Sequence, residues 1–284
     1  MLSAVLAHPG QPPAPHDLWS AWNLHPVLLL GLLLTAWAYQ RGQTRGPRRP
    51  IDTWRARCFA AALVALGLAL LSPLDALSSA LASAHMVQHL LLVLVAAPLL
   101  ALSAPSSAIL RGSPLALRRA SGRWRRRLGL THGNLGVLGH PAAVWLLNVG
   151  VLWFWHAAAA YDAALDNELL HVLEHASFLV TAVLFWHVVV GGRGAVRVSR
   201  GLGVLLVFAM AMQSVFLSVL LTFARTPWYS GYAETTAPWG LDPLTDQQLA
   251  GVIMWIPAGG IYLAVALVLL VTWIRATERE AVPL

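Results

Sequence analysis

Charge is scarce in this chain. Only 11% of its 284 residues are Asp, Glu, Lys or Arg, where a soluble domain carries about 25%. Lysine is absent, so all nineteen basic residues are arginine. There is a single cysteine, Cys58, which excludes a disulfide framework and any CxxC-type zinc or redox site. No glycine-rich phosphate loop is present; Gly133, Gly136 and Gly139 are spaced by three without a strand before them and read as loop. What remains is apolar: 58% hydrophobic residues and a mean hydropathy of +0.65. Such a chain is an integral membrane protein, and its spanning elements must be helices or a closed barrel. Its apolar runs are about 16–26 residues long and do not alternate, which selects helices.

The expected fold is all-α, with seven transmembrane helices near Leu24–Tyr39, Trp54–Leu71, Leu81–Leu102, His140–Ala157, Leu169–Val190, Leu202–Ala224 and Leu249–Ile274. Residues 1–23 form an irregular outer segment, 24–274 the seven-helix domain and 275–284 a tail. Six arginines lie between the first two spans, seven between the third and fourth, three between the fifth and sixth, and two after the seventh. The alternate links hold only Arg225. By the positive-inside rule the N-terminus is outside and the C-terminus cytoplasmic, in a bacterial inner membrane. The basic pI is therefore a topology signal and not a nucleic-acid footprint. The Arg111–Arg127 link suits an interfacial amphipathic helix, with Leu115, Leu117, Trp124 and Leu128 against the arginines. Trp19, Trp22, Trp37, Trp54, Trp153, Trp155, Trp186, Trp239 and Trp273 fall where an aromatic belt would. The N-terminal segment lacks a basic n-region, so no cleavable signal sequence is expected.

Against this background the ionisable residues inside spans stand out, because burying them in lipid is costly and they mark functional sites. His85-Met86-Val87-Gln88-His89 opens the third span and His171-Val172-Leu173-Glu174-His175 the fifth. Four-residue spacing puts each histidine pair on one helix face, and Glu174 joins the second pair. His25 and His156 fall at the same outer depth, as do Met254, Asp75, Asp162 and Asp246; His132, His140 and His187 fall inside. Buried imidazoles need partners, and one metal satisfies several. The candidate metal ligands are His85, His89, His171, His175, Glu174, Met86 and His156. Zinc, copper, iron and nickel all suit imidazole with carboxylate; histidine with methionine in an oxidising compartment favours copper, Cu(I) especially. Asp246 and Asp162 would help attract or orient the ion.

Three rival chemistries share these residues. His171-x-x-Glu174-His175 matches a zinc-protease pattern, but without the further context such a family needs. Haem ligation uses one histidine per axial position, which makes tight four-residue pairs redundant. A proton-coupled transporter needs acids along a path across the membrane, and the inner halves of these spans have almost none. Met210 and Met212 in the sixth span read first as packing, and His8 and His16 as surface residues of the tail.

The blocks His85-Met86-Val87-Gln88-His89 with Ala97-Pro98-Leu99-Leu100, His140-Pro141 to Trp155-His156, Tyr161-Asp162, His171-x-x-Glu174-His175, and Asp246-Gln247-Gln248 into Gly251 and Met254-Trp255 occur in an order that resembles the CtaG-type assembly factors of caa(3)-type cytochrome c oxidase. The resemblance covers about Leu24 to Trp273. It implies a seven-helix membrane protein, not an enzyme, that partners an oxidase subunit and supplies copper to it. Copper uptake or resistance, through similar outer-face residues in a related group, is the alternative, and haem binding another.

Overall fold

The computed structural model describes residues 12–45, 52–127, 129, 140–190 and 198–281. Every regular element among them is helical. In chain order they are α1 (Pro26–Thr44), α2 (Thr53–Leu70), α3 (Pro73–Ser78), α4 (Ala82–Leu90), α5 (Ala97–Ser103), α6 (Ser106–Gly112), α7 (Leu115–Arg127), α8 (Pro141–His156), α9 (Ala158–Asp166), α10 (Glu168–Val190), α11 (Arg200–Thr222) and α12 (Pro243–Ala281). A π-helical segment, Leu91–Ala96, joins α4 to α5.

Five helices are long and apolar enough to cross a membrane: α2, the continuous Ala82–Ser103 helix, α10, α11 and α12. A sixth candidate is α8 with α9, bent by 72°. Five to six candidates thus stand against the seven expected. The difference lies in α1, whose last turns carry Gln40, Arg41 and Gln43, and in α8, which has 16 residues and needs α9 to reach spanning length.

Outward faces are apolar. Leu205, Phe208 and Phe216 on α11 and Leu263, Leu267 and Val268 on α12 are exposed, as lipid-facing side chains are. The expected tryptophan belt is only partly realised. Trp19, Trp22, Trp37, Trp54 and Trp273 are exposed, but Trp155 and Trp186 are buried. The arginine-rich link forms α7, with Leu115, Leu117 and Trp124 exposed; Leu128, Gly133, Gly136, Gly139, His8 and His132 lie outside the described residues.

The π segment has a local cause. Pro98 has no N–H to give to a carbonyl one turn back, and widening the helix absorbs the missing bond. Val93, five residues ahead of Pro98, instead accepts from the Trp186 indole of α10 at 2.8 Å. Sequence position alone assigns Trp186 to an interface; in the fold its indole needs this buried carbonyl and the carbonyl needs a donor. Elsewhere the helices meet through glycine. A Cβ on Gly251 of α12 would strike Thr222 and the Ser218 carbonyl of α11, so that pair packs backbone to backbone.

One end of the bundle gathers the elements that matter below. The α2 C-terminus is there, because the Ala69 carbonyl accepts from Gln88 at 2.8 Å. So are the N-termini of α4 and α12, joined by Asp246, and α9 with the 223–242 link, joined by Asp162. Along α2, Arg55 lies about 20 Å from this end, at 1.5 Å rise per residue.

Candidate metal centre

Two helix starts are fixed first. The Asp246 carboxylate of α12 accepts from the backbone N–H of Ala82 at 2.6 Å and of Ser83 at 3.2 Å, and from the Ser83 hydroxyl. It caps α4 across 164 positions of chain, since Leu81 offers no capping side chain. At α10, Asn167 accepts from Leu169 N–H at 2.9 Å and Leu170 N–H at 3.1 Å. Both caps lie within one turn of the first histidine of each helix, and so set where His85 and His171 point.

The two helices face each other through these histidines. Ring centroids of His85 and His89 are 4.3 Å apart and those of His171 and His175 4.2 Å apart. Between helices, His85 lies 5.3 Å from His171 and 5.7 Å from His175, and His89 lies 5.2 Å from His175. Glu174, fully buried, reaches between the pairs: its carboxylate is 3.6 Å from Nε2 of His85 and 3.6 Å from Nε2 of His89. One ligand atom from each of His85, His171, Glu174 and His175 fits within 4.8 Å of every other.

These distances are too long for hydrogen bonds and suit ligands that share an ion. Donors held at 2.0–2.2 Å by one tetrahedral ion sit about 3.3–3.6 Å apart. The polar bookkeeping agrees. Nε2 of His85, His171 and His175 and both oxygens of Glu174 are buried with no hydrogen-bond partner. Leaving so many polar atoms unpaired is expensive, and an ion would satisfy all of them.

The neighbouring hydroxyls decide which nitrogens carry lone pairs. The Tyr232 hydroxyl donates to the Ser78 carbonyl at 2.9 Å. Burial holds this phenol well above its ordinary range, so it keeps its one proton, which Ser78 takes. The same oxygen lies 3.1 Å from Nδ1 of His85 and 3.2 Å from the Tyr161 hydroxyl; it accepts from both. His85 is therefore protonated at Nδ1 and presents a bare Nε2 to the cluster. At His156, Nδ1 lies 2.8 Å from the Leu152 carbonyl, which can only accept, so its Nε2 is bare as well. Tyr229 stacks on Tyr161 at 3.8 Å and donates to the His156 carbonyl at 3.2 Å.

His89, His156 and Met86 lie beside this group. His89 is 6.2 Å from His156, ring to ring, and all three line one cavity with Met210 and Met254. The acids at this end of the bundle accept backbone and side-chain hydrogen bonds. Asp162 accepts from Ser230 N–H, the Ser230 hydroxyl and Gly231 N–H, and Asp75 accepts from Asn23 and Gln88. With Asp246 they hold the link and helix ends in place. His25 is exposed at the start of α1, and His16 is exposed beside Asp17. Tyr229 and Tyr232 have no periodic pattern to mark them; the only signal is a tyrosine-rich link between two spans.

The chain is 26% identical over 282 residues to an uncharacterized protein of Mycobacterium bovis, covering 95% of this chain and 42% of that protein. It is 25% identical over 279 residues to an uncharacterized protein of Mycobacterium leprae, covering 96% of this chain and 42% of the other. The chain thus spans less than half the length of these relatives. No solved structure matches it. A family model described as cytochrome c oxidase caa3 assembly factor matches residues 33–276. The histidine-bearing helices, the capping aspartate and the tyrosine link all fall inside that match, and the chain belongs to the cytochrome c oxidase caa3 assembly factor family.

Proposed function

We propose that this protein binds copper at His85, His171, Glu174 and His175 and passes it to an oxidase subunit docked along the bundle. The observation that carries the reading is the set of buried donor atoms without partners, gathered within 4.8 Å from two helices. Copper is the cargo, and the four side chains would hold it until a partner's ligands displace them. No reaction is catalysed in this reading. The donor set alone accommodates Zn(II) equally well. The family's oxidase partner and the adjoining methionines favour copper. Haem fits poorly, because rings 4.2–5.7 Å apart leave no plane for a porphyrin.

The placement of the site follows from the same reading. All the arginines but Arg225 fall in the links that alternate with those at the site end, so on this reading the site faces outward and the C-terminus is cytoplasmic, in a bacterial inner membrane. The first helix, α1, completes seven spans. Its Val27, Leu30, Leu33 and Leu34 are exposed, as in a helix lying against lipid, and its 19 residues measure about 28 Å.

The test is purification in mild detergent, with bound metal and the optical spectrum measured together for wild type, His85→Ala and His171→Ala. A fall in bound copper of about one ion per chain in both variants, with no Soret band, is the expected result. Copper binding untouched by either substitution refutes the site. An oxidase with full copper content, made in cells lacking this protein, refutes the delivery.

A further inference from the structure

Four methionines follow the first residue of this chain. Three of them, Met86, Met210 and Met254, come from α4, α11 and α12 to line a single cavity of about 40 Å³. All three are buried at 2–4% exposure, whereas Met212, two residues from Met210, is 44% exposed on the outer face of α11. His89 and His156 line the same cavity. Both nitrogens of His89 and Nε2 of His156 are buried without a partner. Asn148 donates to the Met210 sulfur at 3.4 Å, which orients the thioether and leaves its second lone pair free.

Flexible methionines ordinarily fill gaps in a core. Here three of them border a cavity instead; it also carries Asn148, Ser214 and Tyr262, and its polar atoms without a partner are imidazole nitrogens of His89 and His156. A water needs about 10–15 Å³ of such space, so there is room for an ion. Thioethers are soft, neutral donors that suit Cu(I) and bind Zn(II) poorly.

We propose that this cavity is a second metal site, specific for a soft monovalent ion, with Met86, Met210 and Met254 and the imidazoles of His89 and His156 as its donors. No carboxylate lines the cavity, and Glu174, 3.6 Å from Nε2 of His89, belongs to the first site, so the second discriminates by softness and charge where the first does not. His89, 4.3 Å from His85 on one side and 6.2 Å from His156 on the other, links the two. The cargo's identity as copper rests on the function proposed above; the existence of the second site does not.

The test is titration of the full chain in detergent, under anaerobic conditions, with Ag(I) as a redox-inert stand-in for Cu(I) and separately with Zn(II). Wild type should bind two Ag(I) and one Zn(II). Met210→Leu/Met254→Leu, which keeps volume and apolarity, should bind one of each, while Met212→Leu behaves as wild type. X-ray absorption of Cu(I)-loaded protein should show sulfur neighbours that the double variant lacks. Equal Ag(I) stoichiometry in wild type and the double variant, or no sulfur around Cu(I), overturns the proposal. Failure of the first site reads differently: no Zn(II) would bind, while one Ag(I) would still bind and depend on Met210 and Met254.

Discussion

Nδ1 of His85 lies 3.1 Å from the hydroxyl of Tyr232, a residue 147 positions further along the chain. Because that hydroxyl spends its proton on Ser78, it can only accept from His85. A loop tyrosine thus sets the tautomer of a histidine in the candidate metal centre.

Tyr232→Phe should therefore weaken metal binding without unfolding the protein. Phenylalanine fills the same space but frees His85 to exchange tautomers and rotate. Loss of such a partner costs about 10–100-fold in affinity. Tyr229→Phe, which loses only a bond to the His156 carbonyl, should leave Zn(II) affinity near wild type. Competition titration against a chelator of known affinity measures both.

Glu174→Gln should separate ligand loss from fold loss. The amide keeps the shape and removes the charge, at a cost at least as large as that of an outer partner, about 10–100-fold for a divalent ion. An ion that binds only the folded state raises its apparent stability. The melting temperature of wild type in detergent should thus rise with added Zn(II), and that of Glu174→Gln should rise much less. An equal rise in both would remove Glu174 from the ligand set.

Asp246→Ala tests a different role. It deletes the cap of α4 and leaves buried N–H groups of Ala82 and Ser83 unpaired. A cap is worth about 0.5–2 kcal/mol. The melting temperature should fall with and without metal, in contrast to Glu174→Gln. A variant with unchanged stability but lost binding would make Asp246 a ligand after all.

Trp186→Phe should destabilise by about 1–3 kcal/mol, the cost of leaving the Val93 carbonyl buried and unpaired. Pro98→Ala should soften that cost, because residue 98 then supplies an N–H to the same helix. A double-mutant cycle by thermal or denaturant unfolding reads the coupling, which vanishes if the indole bond and the proline are unrelated.

Some of this architecture is legible in the order of residues and some is not, for a physical reason in each case. The helical class follows from the length of the apolar runs, and the sharing of a face by His171, Glu174 and His175 from the turn of the helix. Span counts diverge at α1 and α8, where one helix ends in polar residues and the other breaks after His156, since hydropathy measures composition and not continuity. Trp155 and Trp186 leave the expected belt for the interior because an indole's address depends on whether a buried acceptor awaits it.

By itself, then, the sequence determined what lies within a few residues along a helix, two histidine pairs at four-residue spacing with a carboxylate on the face of the second, and it placed all the arginines but Arg225 in alternate links. These follow from the 3.6-residue turn and from the cost of burying charge in lipid, both local properties. Only the tertiary structure decided what lies across helices. It brings α4 to α10 so that the pairs meet. It sets His89 and His156 apart with the methionines of α11 and α12. It makes Asp246 the cap of α4 and brings Tyr232 to His85. Those contacts join residues up to 164 positions apart, and packing chooses them by the shape and unpaired polar atoms of surfaces that exist only once the helices have come together.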